Sequence, residues 1–206
     1  MKKLDSHMNQ LFDTGYFDEH ELRRNGFKSI GNNVRIAKNC TIVGVENISI
    51  GNNVRIDAYT TMIAAGDGSI SIGSHVHIGT CCLLIGGDGI TMEDFSGLSH
   101  GVRLFSKADD LSGEYLVNPL VPEKYTNVTK GHVTLKRHCV VGTSSVVVPN
   151  VTIGEGSVVG ALCLVTRSLP EWSIFLGNPL RKIKNRSKNL LELEKQLLKD
   201  EDTESK

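Results

Sequence analysis

Aliphatic residues recur along this chain every six positions, and the residue after each is usually Gly, Ala or another small or polar one. The run begins at Ile30, Ile36 and Ile42. It resumes at Ile50, Ile56 and Met62, again at Ile72, Ile78 and Leu84, and continues through Met92, Leu98 and Leu104. After a break it runs through Leu135, Val141, Val147, Ile153, Val159 and Val165. An amphipathic helix would place apolar residues at i, i+3, i+4 and i+7, which this spacing does not supply. A period of six predicts short strands separated by corners, three strands to a triangular coil, with the aliphatic residue inside and the small residues turning the corner. Stacking such coils buries a continuous apolar column, so the predicted class is all-β. The 21 glycines fit a chain with many tight corners.

The departures from six fall at one place in the coil. Ile30 to Ile50 spans 20 positions, Ile50 to Ile72 spans 22 and Ile72 to Met92 spans 20, where three plain hexads would give 18. Each surplus ends in an alternating triplet: Ile48-Ser49-Ile50, Ile70-Ser71-Ile72, Ile90-Thr91-Met92. Val133-Thr134-Leu135 matches them. The non-repeating stretch of about 106–132 therefore reads as an enlarged version of that corner, protruding and returning the chain to the first face. Loops of this length without their own repeat are uncommon and usually functional. Residues 1–27 read as short helices ending near Asn25-Gly26, residues 28–185 as the coil domain, and residues 186–206 as a helix carrying Leu190, Leu191, Leu193, Leu197 and Leu198 with a charged tail.

Charge changes this picture little. Lysine plus arginine and aspartate plus glutamate both number 23 in 206 residues, so no net field favours nucleic acid or an anionic membrane, and a small-molecule partner is expected. Asp5, His7 and Asn9 interrupt the start before an apolar leader forms, and no later stretch has the length of a membrane span. Five cysteines, an odd number with no CxxC pair and with Cys81 and Cys82 adjacent, favour a reducing cytoplasm.

The hexads, the protruding loop and the ending WSIFLGNPLRKI resemble the hexapeptide-repeat acyltransferases, including the sugar O- and N-acetyltransferases, over roughly residues 28–185. The resemblance implies a left-handed parallel β-helix, a homotrimer with sites between subunits, and acyl-CoA, acetyl-CoA by default, as co-substrate with no metal. It also implies a cofactor lying along a corner of the C-terminal coils. The register puts Gly142-Thr143 and Gly160-Ala161 on one such corner, with Ser99 and His100 one coil nearer the N-terminus. Arg167, Arg181 and Lys182 stand at the other end, as partners for the cofactor's phosphates.

The family usually supplies a histidine as general base. Here the segment after the strand reads Ser106-Lys107-Ala108-Asp109-Asp110, with a carboxylate where a histidine is usual. This resembles acyltransferases in which a loop aspartate orients the amine of a nucleotide-linked sugar and a coil serine relays its proton, which makes Asp109 and Ser99 the pair and His100 secondary. An aspartate, with a reference pKa of about 3.9, is a poor base but a good acceptor for an amine. Expected, then, is an N-acyltransferase for a nucleotide-linked amino sugar in surface polysaccharide biosynthesis, with O-acetylation of a sugar hydroxyl as the alternative. A zinc enzyme of the γ-carbonic anhydrase type would draw on His75 and His77, but the chain has no further histidine in the H-x4-H spacing. A non-enzymatic scaffold gives no role to the long loop.

Overall fold

The computed structural model describes residues 14–204. Strands of two to four residues stack into three parallel sheets that form the sides of a prism. The first face holds β1 (Ser29–Ile30), β4 (Ile48–Ile50), β7 (Ile70–Ile72), β10 (Ile90–Met92), β15 (Val133–Leu135) and β18 (Thr152–Ile153). The second holds β2 (Val34–Ile36), β5 (Val54–Ile56), β8 (His77–Ile78), β11 (Gly97–Leu98), β16 (Val140–Val141), β19 (Val158–Val159) and β21 (Ser173–Leu176), closed by antiparallel β22 (Arg181–Asn185). The third holds β3 (Thr41–Val43), β6 (Thr61–Ile63), β9 (Leu83–Ile85), β12 (Arg103–Phe105), β17 (Val146–Val147) and β20 (Leu164–Val165). The fold is the expected left-handed β-solenoid.

The hexad aliphatics are the core. Ile36, Ile56, Ile78, Leu98, Val141 and Val159 line one inner wall, and Met62, Leu84, Leu104, Val147 and Val165 line another, all buried. Each such side chain contributes roughly 1.5–3 kcal/mol relative to exposure. The register pairs every inward residue with its equivalent in the next coil, such as Ile56 with Ile78 and Leu98 with Val141. Ile30 and Ile42 are only partly buried, because they belong to the first coil and have cover on one side. Part of that cover comes from α1 (Glu19–Arg24), which buries Leu22 and starts with a capping box between Asp18 and Glu21. Asn25 caps its end and Gly26 follows in the left-handed region, φ 78°. The expected N-terminal helices are thus one short helix among the described residues; 1–13 lie outside them.

The enlarged corner is where the spacing placed it, between β12 and β15. It is clasped at its base by β13 (Lys107–Ala108) and β14 (Thr129–Lys130), an antiparallel pair. Another corner, between the first and second faces, carries a stack of rings. His75, Phe95, His138 and Trp172 all adopt positive φ, with ring centroids separated by 4.6, 5.1 and 6.4 Å in turn. Along this stack lies the C-terminal helix α2 (Leu190–Glu204). Glu194 accepts from Arg137 and pairs with His138 Nε2 at 2.8 Å, and Glu201 lies 3.5 Å from His75 Nε2. The leucines suggested a helix held by apolar packing, yet Leu193, Leu197 and Leu198 are exposed. The helix is fastened by its carboxylates instead.

Candidate functional site

A single column of residues marks the corner between the second and third faces. Ala37, Asp57, Gly79, Ser99, Gly142, Gly160 and Leu176 each follow the last inward residue of a second-face strand. The amide of each of the first six donates to the carbonyl one coil on, Ser99 to Val141 at 2.9 Å, Gly142 to Val159 and Gly160 to Phe175 at 2.8 Å. The structure therefore brings Ser99, Gly142 and Gly160 into one line, as the hexad register required. At Gly142 there is no room for a side chain, since a Cβ would lie 2.5 Å from the carbonyl carbon of Gly160, whereas one on Gly160 would displace only the exposed tip of Leu176.

The same bonds show which backbone groups are free. Because Gly142 and Gly160 spend their N–H groups between coils, they have none to offer a ligand. Their neighbours Thr143 and Ala161 are exposed, and the N–H of neither donates to any group among the described residues. Spaced one coil apart, about 4.8 Å, these two donors suit an extended chain with amide carbonyls. At the C-terminal end of the column β22 pairs Arg181 with Leu176 and Lys182 with Phe175. Arg167, Asn178, Pro179 and Leu180 border a hollow of about 180 Å³ beside it. Arg167, Arg181 and Lys182 are exposed and form no ion pair among the described residues.

The loop carboxylates differ in availability. Asp110 accepts from the backbone N–H and hydroxyl of Ser112 and from Asn127 Nδ2 at 2.8 Å, so it staples the loop; the Ser112 hydroxyl leads in holding its carboxyl below the usual range. Asp109 is exposed and has no such partners among the described residues. It borders a groove of about 450 Å³ on the outside of the third face, with Ile85, Phe105, Lys107, Val128 and Val148. Lys107 was not singled out from sequence, since a lone lysine in a polar loop carries no signal.

Ser99 and Asp109 do not meet within one chain. Ser99 sits at the near corner of the third face and Asp109 beyond the far one. A six-residue side at about 3.3 Å per extended residue holds them on the order of 15–20 Å apart. His100 follows Ser99 and is exposed, but its Nδ1 accepts the backbone N–H of Thr80 at 3.1 Å. A backbone N–H can only donate, so the neutral ring carries its proton on Nε2 and presents a donor outward. This arrangement suits orienting an acceptor oxygen better than removing a proton.

His75 and His77 diverge, the first in the ring stack and the second on the second face against Asp57. Among the described residues no group of three or more His, Cys, Asp or Glu side chains is placed to hold a metal. The contacts of His77 belong to a cluster that sequence reasoning passed over. Asp57, in the same column as Ser99, accepts from Tyr16 Oη at 3.0 Å and Arg55 Nε at 2.6 Å, and its other oxygen lies 2.8 Å from His77 Nε2. Burial alone would raise the Asp57 pKa, but the bonds from His77, Arg55 and Tyr16 together hold it below the usual carboxylate range.

No protein-family model matches the chain. Among curated proteins, the dTDP-4-amino-4,6-dideoxy-D-glucose acyltransferase of Escherichia coli is 41% identical over 179 residues, covering 87% of this chain and 93% of the relative. Among solved structures, AntD, an N-acyltransferase from Bacillus cereus in complex with dTDP and 3-hydroxybutyryl-CoA, superposes with a TM-score of 0.87 at 41% identity, over 92% of this chain and 99% of that one. A hexapeptide-repeat acetyltransferase of Vibrio cholerae, at 18% identity, TM-score 0.54 and coverage of 88% and 85%, shares the fold alone. With the solenoid, the clasped loop and the small-residue corner already in place, the chain belongs to the acyl-CoA-dependent sugar N-acyltransferases of the hexapeptide-repeat class.

Proposed function

We propose that the protein transfers an acyl group from coenzyme A to the amine of a dTDP-linked amino sugar, at sites shared between neighbouring copies of a homotrimer. The observation that carries this reading is the contrast between the two candidate groups. Asp109 offers a carboxylate that is unpaired among the described residues and suited to hold an amine, while the outward nitrogen of His100 is a donor and not the base a hydroxyl acceptor would need. AntD has been solved with dTDP-4-amino-4,6-dideoxyglucose and coenzyme A. Its variants were made at a serine and an aspartate ten positions apart, the separation of Ser99 and Asp109 here.

In this mechanism the third-face groove of one copy presents Asp109 to the Ser99 corner of the next, which closes the gap that a single chain leaves open. A closed ring of three suits a triangular prism and repeats the same contact at each interface. Asp109 accepts an N–H bond from the amine and aims its lone pair at the thioester carbonyl. The C–N bond forms, the C–S bond breaks, and the Ser99 hydroxyl passes the surplus amine proton toward the departing thiolate. Thr143 and Ala161 hold the pantetheine arm, while Arg167, Arg181 and Lys182 meet the cofactor's phosphates. Coenzyme A and nucleotide sugars are cytoplasmic metabolites, which supports a reaction in the cytoplasm; the acylated sugar is then a building block for surface polysaccharides.

The test is a panel of nucleotide sugars, with and without amino groups, incubated with acyl-CoA donors and followed by mass spectrometry. An acyl adduct on dTDP-amino sugars alone is expected. Acylation of sugars that carry only hydroxyls would overturn the assignment. Sedimentation equilibrium at micromolar concentration should give three chains, and a monomer would exclude the shared site.

A further inference from the structure

The second face changes character along its length. Its outward positions run Arg35, Arg55 and His77, then Gly97, then Val140, Val158 and Ile174, each opposite the next in the sheet register. Gly97 stands two residues before Ser99 on the same strand edge. A Cβ at Gly97 would come no nearer than 3.4 Å to the His77 carbonyl oxygen, an ordinary contact, so the fold does not demand a glycine here. Its effect is a bare stretch of backbone beside Ser99, with basic groups on one side and apolar ones on the other.

The basic groups are held in place. Asp57 is 5% exposed, and burying a carboxylate is costly unless it is paired. An ionised carboxylate oxygen only accepts, so His77 Nε2 donates in that contact, and the remaining Nδ1 is a donor to phosphate when the ring carries both protons beside Asp57. Arg55 donates Nε to Asp57 and lies over the Tyr16 ring, 5.9 Å from its centroid, and among the described residues its guanidinium forms no second ion pair. Its planar fork matches the oxygens of a phosphate. Adjacent strands are about 4.8 Å apart, so His77 lies one such step and Arg55 two from the coil of Ser99. A pyranose ring laid over Gly97 spans that interval.

We infer that Arg55 and His77, fixed by Asp57, seat the diphosphate of the nucleotide-linked acceptor, with the sugar over Gly97 and its amine at Ser99. Asp57 is then a positioning residue, and Tyr16 braces it from the other side. This assignment rests on the nucleotide-sugar reading and adds to it the direction in which the acceptor lies, phosphates toward the N-terminal coils and amine toward the cofactor. The alternative is a purely structural clamp, since Tyr16 also bridges to Ala37 and could simply tie down the N-terminal segment.

Calorimetry on the full chain with dTDP, thymidine and coenzyme A separates these cases. Arg55→Gln and the Arg55→Gln, His77→Gln double variant remove the charges but keep amide donors toward Asp57, and thermal unfolding is checked first to show that both fold. The double variant should weaken dTDP binding at least about tenfold, the loss of one or more charge-assisted bonds, and leave thymidine and coenzyme A affinities as they were. Asp57→Asn should raise the KM for the nucleotide sugar by more than it lowers kcat, an outcome that a clamp acting through stability alone would not give. A double variant that binds dTDP as tightly as the wild type overturns the seat while leaving acyl transfer intact. So does a wild type that prefers dTDP to thymidine by no measurable factor. If dTDP binding falls as expected but no dTDP-amino sugar is acylated, the seat stands and the acceptor assignment fails.

Discussion

The small-residue corner can be probed by adding one methyl group. Gly142 has an ordinary backbone conformation, so Gly142→Ala brings no left-handed strain. By restricting the unfolded chain it would stabilise the protein by about 0.4–1 kcal/mol if there were space. There is none: the new Cβ would lie 2.5 Å from the Gly160 carbonyl carbon and 2.6 Å from the Ala161 nitrogen. Both are backbone atoms of the next coil, which cannot swing aside as a side-chain tip can. Relief requires the coils to part or shift, at about 1–3 kcal/mol, the usual range for overpacking. The net destabilisation is then roughly 1–2 kcal/mol, equivalent to about 2–8 °C in Tm for a chain of this size. Because the displaced atoms include the free amide of Ala161, the KM for acyl-CoA should rise more than that for the acceptor. Gly66→Ala is the kinetic control: its Cβ meets nothing within 4 Å, so although its φ of +61° costs stability, the KM for acyl-CoA should not change. Thermal unfolding and steady-state kinetics on both variants decide the matter. A Gly142→Ala protein as stable as the wild type, with an unchanged KM for acyl-CoA, would show that this corner is neither tightly packed nor part of the cofactor site.

Two further outcomes follow from the carboxylates. Asp109→Asn should lower kcat/KM by about two orders of magnitude or more, whereas His100→Asn should cost less than about tenfold. The reverse ranking in steady-state assays would return the proton transfer to the imidazole. Asp57, whose folded pKa is depressed by its three partners against the opposing effect of burial, contributes stability above the unfolded aspartate value of about 3.9. That contribution disappears as the pH falls through the folded value, so the wild type should lose more Tm between pH 7 and pH 3 than Asp57→Asn does. Equal losses would mean that the cluster adds nothing to the acid sensitivity of the fold.

The coil architecture was legible because a hexad period leaves little freedom. Once Ile56, Ile78 and Leu98 point inward, Asp57, Gly79 and Ser99 must share a corner, and the alternating triplets locate the enlarged loop from the sequence itself. The choice between Asp109 and Asp110 was harder to ground. Only the loop's own folding, which spends Asp110 on Ser112 and Asn127, distinguishes them physically. Within the expected corner of Gly142, Thr143, Gly160 and Ala161, the ladder between coils consumes the glycine amides, so among the described residues the free N–H groups are those of Thr143 and Ala161, a distinction the hexad pattern does not encode. The Asp57 cluster was missed for a related reason. Tyr16, Arg55 and His77 are up to 61 positions apart and come together only when the N-terminal segment folds back against the second face, which no local pattern encodes.

The carboxylates of the last helix reach far along the prism. A solenoid whose coils touch only their neighbours behaves as a linear chain of units, free to fray from either end. A helix of 15 residues at 1.5 Å each extends about 22 Å, the height of four to five coils. From Glu194 beside His138 to Glu201 beside His75 and Asn53, it ties the late coils to the early ones. The end of the chain thus acts as a strut across the stack, and loosening one terminus must also disturb the other. Such a strut turns a sequential unzipping into a single cooperative event, so truncation after Asn189 should broaden the unfolding transition as well as lower its midpoint.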